Sequence, residues 1–314
     1  MKDIVIDDIS VSAGETRQIN VRVARLPTRT SIEIPIIVSR SEQEGPTVLF
    51  QGGLHGDEIN GVEIVRRLLV NKYNHPLIGS TICIPIVNIY GFIQSTRQVP
   101  GGKDINRSFP GSKQGSLASQ IAYYIRQFIL PQIDVGVDFH TGGSRINNIP
   151  QIRTSIGKER NLELATAFSS RFTINSPIRA TSLRNEAEKL GKTVLVYEGG
   201  ESLRLRKNVV DGGVNGSLRL MKHLGMASEA PEPKFPNVII KESMWIRART
   251  SGLHHSFARI GDQVKKGDVI GLVTGPFGEF ESPFKCTHSG YVLAINNKPV
   301  INRGDALVHI GIPL

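Results

Sequence analysis

Val48-Leu49-Phe50-Gln51-Gly52-Gly53-Leu54-His55-Gly56-Asp57-Glu58 is the stretch on which the fold reading turns. Three apolar residues make a buried-strand candidate, and the glycine pair breaks it. From Ile59 to Asn71, Val62, Val65, Leu68 and Leu69 then recur at helical spacing, with Arg66, Arg67 and Lys72 on the polar face. Strand, loop and helix in that order begin an α/β sheet whose crossovers are helical. The alternation continues with strands at Ile82 to Val87, Val135 to Phe139 and Val194 to Tyr197. Helices are expected at Ser116 to Leu130, stopped by Pro131, at Glu159 to Arg171, and at Val214 to Leu224, closed by Gly225. In such sheets ligands bind beyond the carboxyl ends of strands, so polar residues there are the first candidates for function.

Outward from this unit the pattern changes. Upstream, Gln18 to Val23 and Ile32 to Val38 alternate like strands, and residues 1–46 are read as a β segment appended to the sheet or to the tail. Residues 47–227 form the expected catalytic unit. Downstream, three prolines fall within Pro231 to Pro236, and 228–237 is expected to be a stiff linker. Residues 238–314 then read as short strands that repeat. Ser251-Gly252-Leu253 leads to Val264-Lys265-Lys266-Gly267-Asp268, as Ser289-Gly290-Tyr291 leads to Val300-Ile301-Asn302-Arg303-Gly304-Asp305. This all-β tail resembles the barrel-sandwich fold of lipoyl and biotinyl carriers. Its tip, Thr274-Gly275-Pro276-Phe277-Gly278-Glu279, lacks the lysine that a carrier modifies, so a structural or site-shaping role is expected.

Length and charge narrow the function classes. At about 150 residues per domain, 314 residues suit two domains with a sizeable core. No apolar run approaches the roughly 20 residues of a membrane span, and acid falls early in Met1 to Asp8, so a cytoplasmic protein with no membrane partner is expected. Lys and Arg exceed Asp and Glu by 10, but as short clusters mixed with acids and without aromatic interleaving, which argues against nucleic acid. Two cysteines, Cys83 and Cys286, can build neither a disulfide framework nor a thiolate zinc site, so a metal would need His and carboxylate ligands. Serine-nucleophile and phosphate-loop motifs are absent from the sequence.

Four segments carry candidate chemistry. His55 and Glu58 form His-x-x-Glu between a strand and a helix, which suits one zinc ion but equally describes a loop histidine and a helix-start glutamate. His140 emerges at the end of the Val135 strand and completes a His₂Glu set. Asp138, two residues earlier on the same strand face, can orient the His140 ring or simply accept a turn hydrogen bond. Glu198 closes another strand before Gly199-Gly200, where a general base facing the same cleft belongs. Thr96 to Gly111 is a Gly/Pro-punctuated loop with Arg97 and Arg107. Beside a metal it would recognise substrate, and alone it is an ordinary basic loop.

Gly-Gly-x-His-Gly-x-Glu, Asp-x-Asn-Arg-x-Phe-Pro-Gly, Asp-x-His-x-Gly and the late Glu-Gly-Gly, in this order over roughly Thr47 to Gly225, resemble the succinylglutamate desuccinylase and aspartoacylase family, relatives of the zinc carboxypeptidases. The resemblance implies a mixed sheet flanked by helices and one Zn²⁺ per chain on His55, Glu58 and His140. It also implies Glu198 as base and proton shuttle, Asn106 and Arg107 on a substrate carboxylate, and Arg97 polarising the scissile carbonyl. The expected reaction is hydrolysis of a small N-acyl amino acid to a carboxylate and a free amine. The domain layout resembles deacylases acting on an acyl amino acid with a basic side chain, such as the N-acetyl-diaminobutyrate of ectoine breakdown. Two alternatives stand beside this, a metallocarboxypeptidase acting on peptide C-termini and a non-catalytic metal-binding scaffold. A homo-oligomer is compatible with the sequence.

Overall fold

A computed structural model of the chain describes residues 3–25 and 28–314; Met1 and Lys2, part of the N-terminal stretch read above, lie outside them. A hairpin, β1 (Ile4–Ile6) and β2 (Ile9–Val11), precedes the long strands β3 (Thr16–Arg25) and β4 (Ser31–Arg40). Then come β5 (Thr47–Gln51), α1 (Ile59–Val70), β6 (Ser80–Ile84), α2 (Ile89–Gln94) and α3 (Leu117–Tyr124). The chain continues through β7 (Val135–Gly142), β8 (Ile146–Thr154), α4 (Glu159–Phe168), β9 (Phe172–Asn175), α5 (Leu183–Lys189), β10 (Thr193–Glu201) and α6 (Lys207–His223). The C-terminal strands are β11 (Val238–Arg247), β12 (Gly252–Ser256), β13 (Gln263–Val264), β14 (Val269–Thr274), β15 (Glu281–Lys285), β16 (Gly290–Asn296), β17 (Val300–Ile301) and β18 (Ala306–Pro313).

One large sheet runs in the order β13-β16-β18-β11-β9-β8-β10-β7-β5-β6-β4-β3. Its centre, β6, β5, β7 and β10, is parallel, as βαβ crossovers require. These strands are covered on both faces. Val48 and Phe50 pack with α1, α4 and α6 on one side, while Leu49 faces the core shared with β3, β4 and α3 on the other. Phe139, Phe168 and Tyr197 form an aromatic cluster on the α1, α4 and α6 side, each ring contributing about 2–3 kcal/mol by its burial. The N-terminal strands β3 and β4 belong to this sheet and not to the tail, since β4 pairs antiparallel with β6, while β1 and β2 form a separate two-stranded sheet.

Three helices differ from the sequence expectation, each for a physical reason. The helix expected through Leu130 is regular only to Tyr124; a wide turn over Ile125–Ile129 and a tight one over Leu130–Gln132 follow, where Pro131 has no N–H to continue the ladder. α4 stops at Phe168 because Ser169 turns left-handed (φ 53°), which leaves Arg171 outside the helix, just before β9. α6 begins at Lys207, earlier than expected, because Gly213 and Gly216 let it sit directly on Ile64 and Phe168. Strand β8, with Asn147, Asn148 and Pro150, has no strand-like pattern in the sequence.

The C-terminal strands do not hang free of the sheet. β11 pairs with β9, β18 with β11, β16 with β18, and β16 returns to β8, so β8, β9, β11, β18 and β16 close a ring. Ile149, Phe172, Ile174, Ile240 and Leu293 fill it. The sequence repeat appears as pseudo-symmetry, because β12 of the first half pairs with β17 of the second and β16 of the second with β13 of the first.

Candidate metal centre and active site

The loop between β5 and α1 carries His55 and Glu58. Gly53 takes φ 60°, and a Cβ on Gly56 would overlap the Gly91 backbone, so this loop lies flat against α2 only with glycine at these places. His55, Glu58 and His140 are buried, and one ligand atom from each lies within 4.8 Å of the other two. His55 Nδ1 is 2.7 Å from Glu58 Oε1, His140 Nδ1 is 2.8 Å from Oε2, and the two Nδ1 atoms are 3.2 Å apart. The Thr141 N–H also donates to Glu58 Oε2 at 2.9 Å.

The far side of each ring faces its own carboxylate. Asp138 Oδ2 lies 2.7 Å from His140 Nε2, and Asp104 Oδ1 lies 3.1 Å from His55 Nε2. With Nε2–H donating to those carboxylates, both Nδ1 lone pairs point at each other and at Glu58. That arrangement is repulsive until a cation sits among them, so the residues fit a metal, and two imidazoles with one carboxylate suit zinc. Protonation at Nδ1 is the other way to relieve that repulsion: burial alone would raise the Glu58 carboxyl, but in that form the charges and hydrogen bonds of His55 and His140 hold it well below the usual carboxylate range. Burial opposes protonation of His140, and the Asp138 and Glu58 charges overcome it.

A cleft of about 200 Å³ opens on this cluster, lined by His55, Glu58 and His140 and also by Arg97, Asn106, Arg107, Arg153, Arg179, Arg184 and Glu198. The sequence-expected residues therefore share one cavity, except Asp138, which stands behind His140. Arg97 donates to Glu58 Oε1 at 2.9 Å and to Asp104 Oδ2 through Nη2 at 2.9 Å. Asn106 Oδ1 accepts from Leu183 N–H at 2.9 Å, which ties this loop to α5. Glu198 meets Asn148 and Arg153, both on β8. Arg107, Arg179 and Arg184 make no ion pair among the described residues. Burial, with Arg179 and Arg97 nearby, pulls the Arg107 guanidinium below its ordinary value, and burial takes Arg184 down to about 10. A larger groove of about 720 Å³ between α6 and the Pro231–Pro236 stretch is faced by none of these residues.

Reading the sequence missed Asp104, Asn148, Arg153, Arg179 and Arg184. Asp104 was visible, since it opens the Asp-x-Asn-Arg motif; the others sit in segments without any motif. The profile of the succinylglutamate desuccinylase/aspartoacylase catalytic domain matches residues 44–224. The chain belongs to this family. A relative from Halomonas elongata, an N-alpha-acetyl-L-2,4-diaminobutyric acid deacetylase, is 28% identical over 297 residues, 89% of this chain and 86% of that one. The crystal structure of a succinylglutamate desuccinylase/aspartoacylase from Rhodobacter sphaeroides superposes with a TM-score of 0.87 at 25% identity, covering 100% of this chain and 99% of the other. The product-bound ectoine utilization protein EutE (DoeB) of Ruegeria pomeroyi shares the fold, with a TM-score of 0.86, 22% identity and 99% of each chain covered. The small closed β ring and mixed sheet are thus the fold of this deacylase family. No helix among the described residues is long and apolar enough to cross a membrane.

Proposed function

We propose that this chain is a zinc-dependent amidohydrolase that removes the acyl group from a small N-acyl amino acid. The observation that carries the reading is the convergence of His55, Glu58 and His140, each ring backed by its own carboxylate, in one cleft with Glu198 and three arginines that lack a carboxylate partner among the described residues. Zinc held by the three residues would supply Lewis acidity and a water acidified toward a pKa of about 7.

The chain's own residues do the rest. Glu198 takes a proton from the attacking water as the carbon–oxygen bond forms, and returns it to the amine nitrogen as the carbon–nitrogen bond breaks. A carboxylate and a free amine leave, with no other reactant needed. Arg97, fixed by Glu58 and Asp104, presents a guanidinium to the oxygen that becomes negative. Asn106 and Arg107, with Arg179 and Arg184 beside them, hold a substrate carboxylate. A cleft of about 200 Å³ favours a small acyl amino acid over a peptide segment.

The test is amine release by the zinc-loaded protein from N-acetyl-L-2,4-diaminobutyrate, named first because of the Halomonas relative, alongside N-acetyl-L-aspartate, N-succinyl-L-glutamate and short peptides with free C-termini. Turnover of one acyl amino acid, lost by at least about a hundredfold in Glu198→Gln with zinc still bound, is the expected result. Cleavage of peptides alone would make the protein a carboxypeptidase. Full activity of Glu198→Gln would remove Glu198 from the base role.

A further inference from the structure

We infer that Arg153 and Asn148 are positioning residues for Glu198, and that the closed β ring joining the C-terminal strands to the sheet holds them in place; this rests on the reading of Glu198 as the base. Each oxygen of the Glu198 carboxylate has its own partner. Asn148 Nδ2 donates to Oε1 at 2.7 Å, and Arg153 Nε lies 2.9 Å from Oε2. The Arg153 N–H is not aligned on that oxygen, so its contact acts through charge more than through a directed hydrogen bond. Asn148 Oδ1 is buried with no partner among the described residues, and the carboxylate sets which way round the amide sits, because only its NH₂ can face an ionised carboxylate.

The strand pairing explains the convergence. β8 runs antiparallel to β10, with Arg153 opposite Val196, Gln151 opposite Glu198 and Asn148 opposite Gly200, and the register slips between Glu198 and Gly200. That slip brings Asn148 to the base. On its other edge β8 pairs with β16, Asn148 opposite Ala294 and Ile146 opposite Asn296. Asn297 fastens the same corner, donating its backbone N–H to Arg145 at 2.9 Å and its side-chain amide to Glu201 at 3.0 Å. The Arg153 charge acts on the buried His309 of β18 and Asn148 pairs with Ala294 of β16, so both partners of Glu198 are coupled to C-terminal strands. The tail therefore acts on the reaction through the base it orients, besides any part it takes in shaping the entrance.

A carboxylate gripped at both oxygens cannot rotate away, yet its remaining lone pairs leave room for a proton. The Arg153 cation offsets the cost of keeping that charge in a mostly buried position. The test uses the full-length, zinc-loaded protein on whichever of N-acetyl-L-2,4-diaminobutyrate, N-acetyl-L-aspartate or N-succinyl-L-glutamate it cleaves fastest. Arg153→Gln should lower kcat by about ten- to a hundredfold and leave KM within about threefold, with melting temperature and zinc content unchanged. Arg153→Lys, which keeps the charge, should recover most of kcat. Asn148→Ala should lower kcat by about tenfold.

An unchanged kcat in Arg153→Gln, a loss confined to KM, or no recovery by lysine would overturn the inference, the second outcome making Arg153 a substrate contact. A crystal structure of Arg153→Gln with Glu198 unmoved would overturn it as well. Inactivity of Glu198→Gln together with an indifferent Arg153→Gln would sink this inference alone, whereas full activity of Glu198→Gln would sink both it and the reading beneath it.

Discussion

In the cleft, His55 meets Asp104 across 49 residues and Glu58 meets His140 across 82, whereas in the C-terminal repeat each turn is closed from three residues away. Asp268 Oδ2 accepts from Lys265 N–H at 2.8 Å, and its counterpart Asp305 Oδ2 accepts from Asn302 N–H at 2.9 Å. A serine from the opposite half then fastens each turn at 3.0 Å, Ser289 to Lys266 N–H and Ser251 to Arg303 N–H. In the cleft His55, Glu58, His140, Asp104, Asp138 and Arg97 form one network in which every member has more than one partner. The repeat is a sum of two similar units, each closed locally and fastened at one point from the other half. A network should fail as a whole, and a sum should lose its parts one at a time.

The largest expected effect follows from Glu58. Changing it to Ala removes the one carboxylate that His55, His140 and Arg97 share, and should abolish stoichiometric zinc binding while costing about 3–5 kcal/mol of stability. Metal analysis and chemical denaturation of the variant check both; retention of zinc would break the picture of one network. Asp104→Asn and Asp138→Asn should each weaken zinc affinity by about 10–100-fold. Because both act on one cluster through its two rings, the double variant should depart from the sum of the singles in a competition titration with a chelator.

Between the two regions sits His309, stacked on Trp245 with ring centroids 4.7 Å apart. Burial, with the Arg153 charge adding to it, holds this imidazole down to about 3, against an ordinary value near 6.5 when unfolded. Below pH 6.5 the unfolded chain therefore takes up the proton first. The stability this site contributes is complete above about pH 6.5 and is lost as pH falls toward about 3. Denaturation curves of His309→Gln should lack that component, a difference of up to about 1.4 kcal/mol per pH unit in this window. Identical slopes in the two proteins would show that His309 becomes protonated in the folded state.

The smallest effects belong to the repeat. Gly267 and Gly304 hold φ 98° and 92° in open space, so Gly267→Ala and Gly304→Ala should each cost about 1 kcal/mol through backbone strain alone. The two costs should be equal and should add within about 0.5 kcal/mol in thermal or urea unfolding. Marked non-additivity would mean that the halves fold as a coupled pair and would erase the contrast with the cleft.

How much could be read in advance follows the same division. The Val48 to Glu58 stretch announces its strand, loop and helix because hydrophobic periodicity and glycine act locally, and the repeat announces its turns because Gly-Asp chemistry lies within five residues. His55, Glu58, His140 and Glu198 were legible because each stands at a strand end beside glycines, and Asp138 because it shares a strand face with His140. Asn148 and Arg153 were not, since β8 has no pattern of its own and becomes a strand only by pairing with β10, β9 and β16. Arg179 and Arg184 sit in a surface loop and a short helix whose nearness to the cleft nothing in their neighbours signals.

By itself the sequence determined the α/β class, the internal repeat of the tail and the residue types able to hold a metal, because those depend on spacing along the chain. Only the tertiary structure decided that the tail shares strands with the sheet, that Asp104 backs His55, and that both oxygens of Glu198 are gripped. These are contacts between segments far apart in the chain, set by strand register and by burial of charge, and neither leaves a periodic trace in the residues that make them.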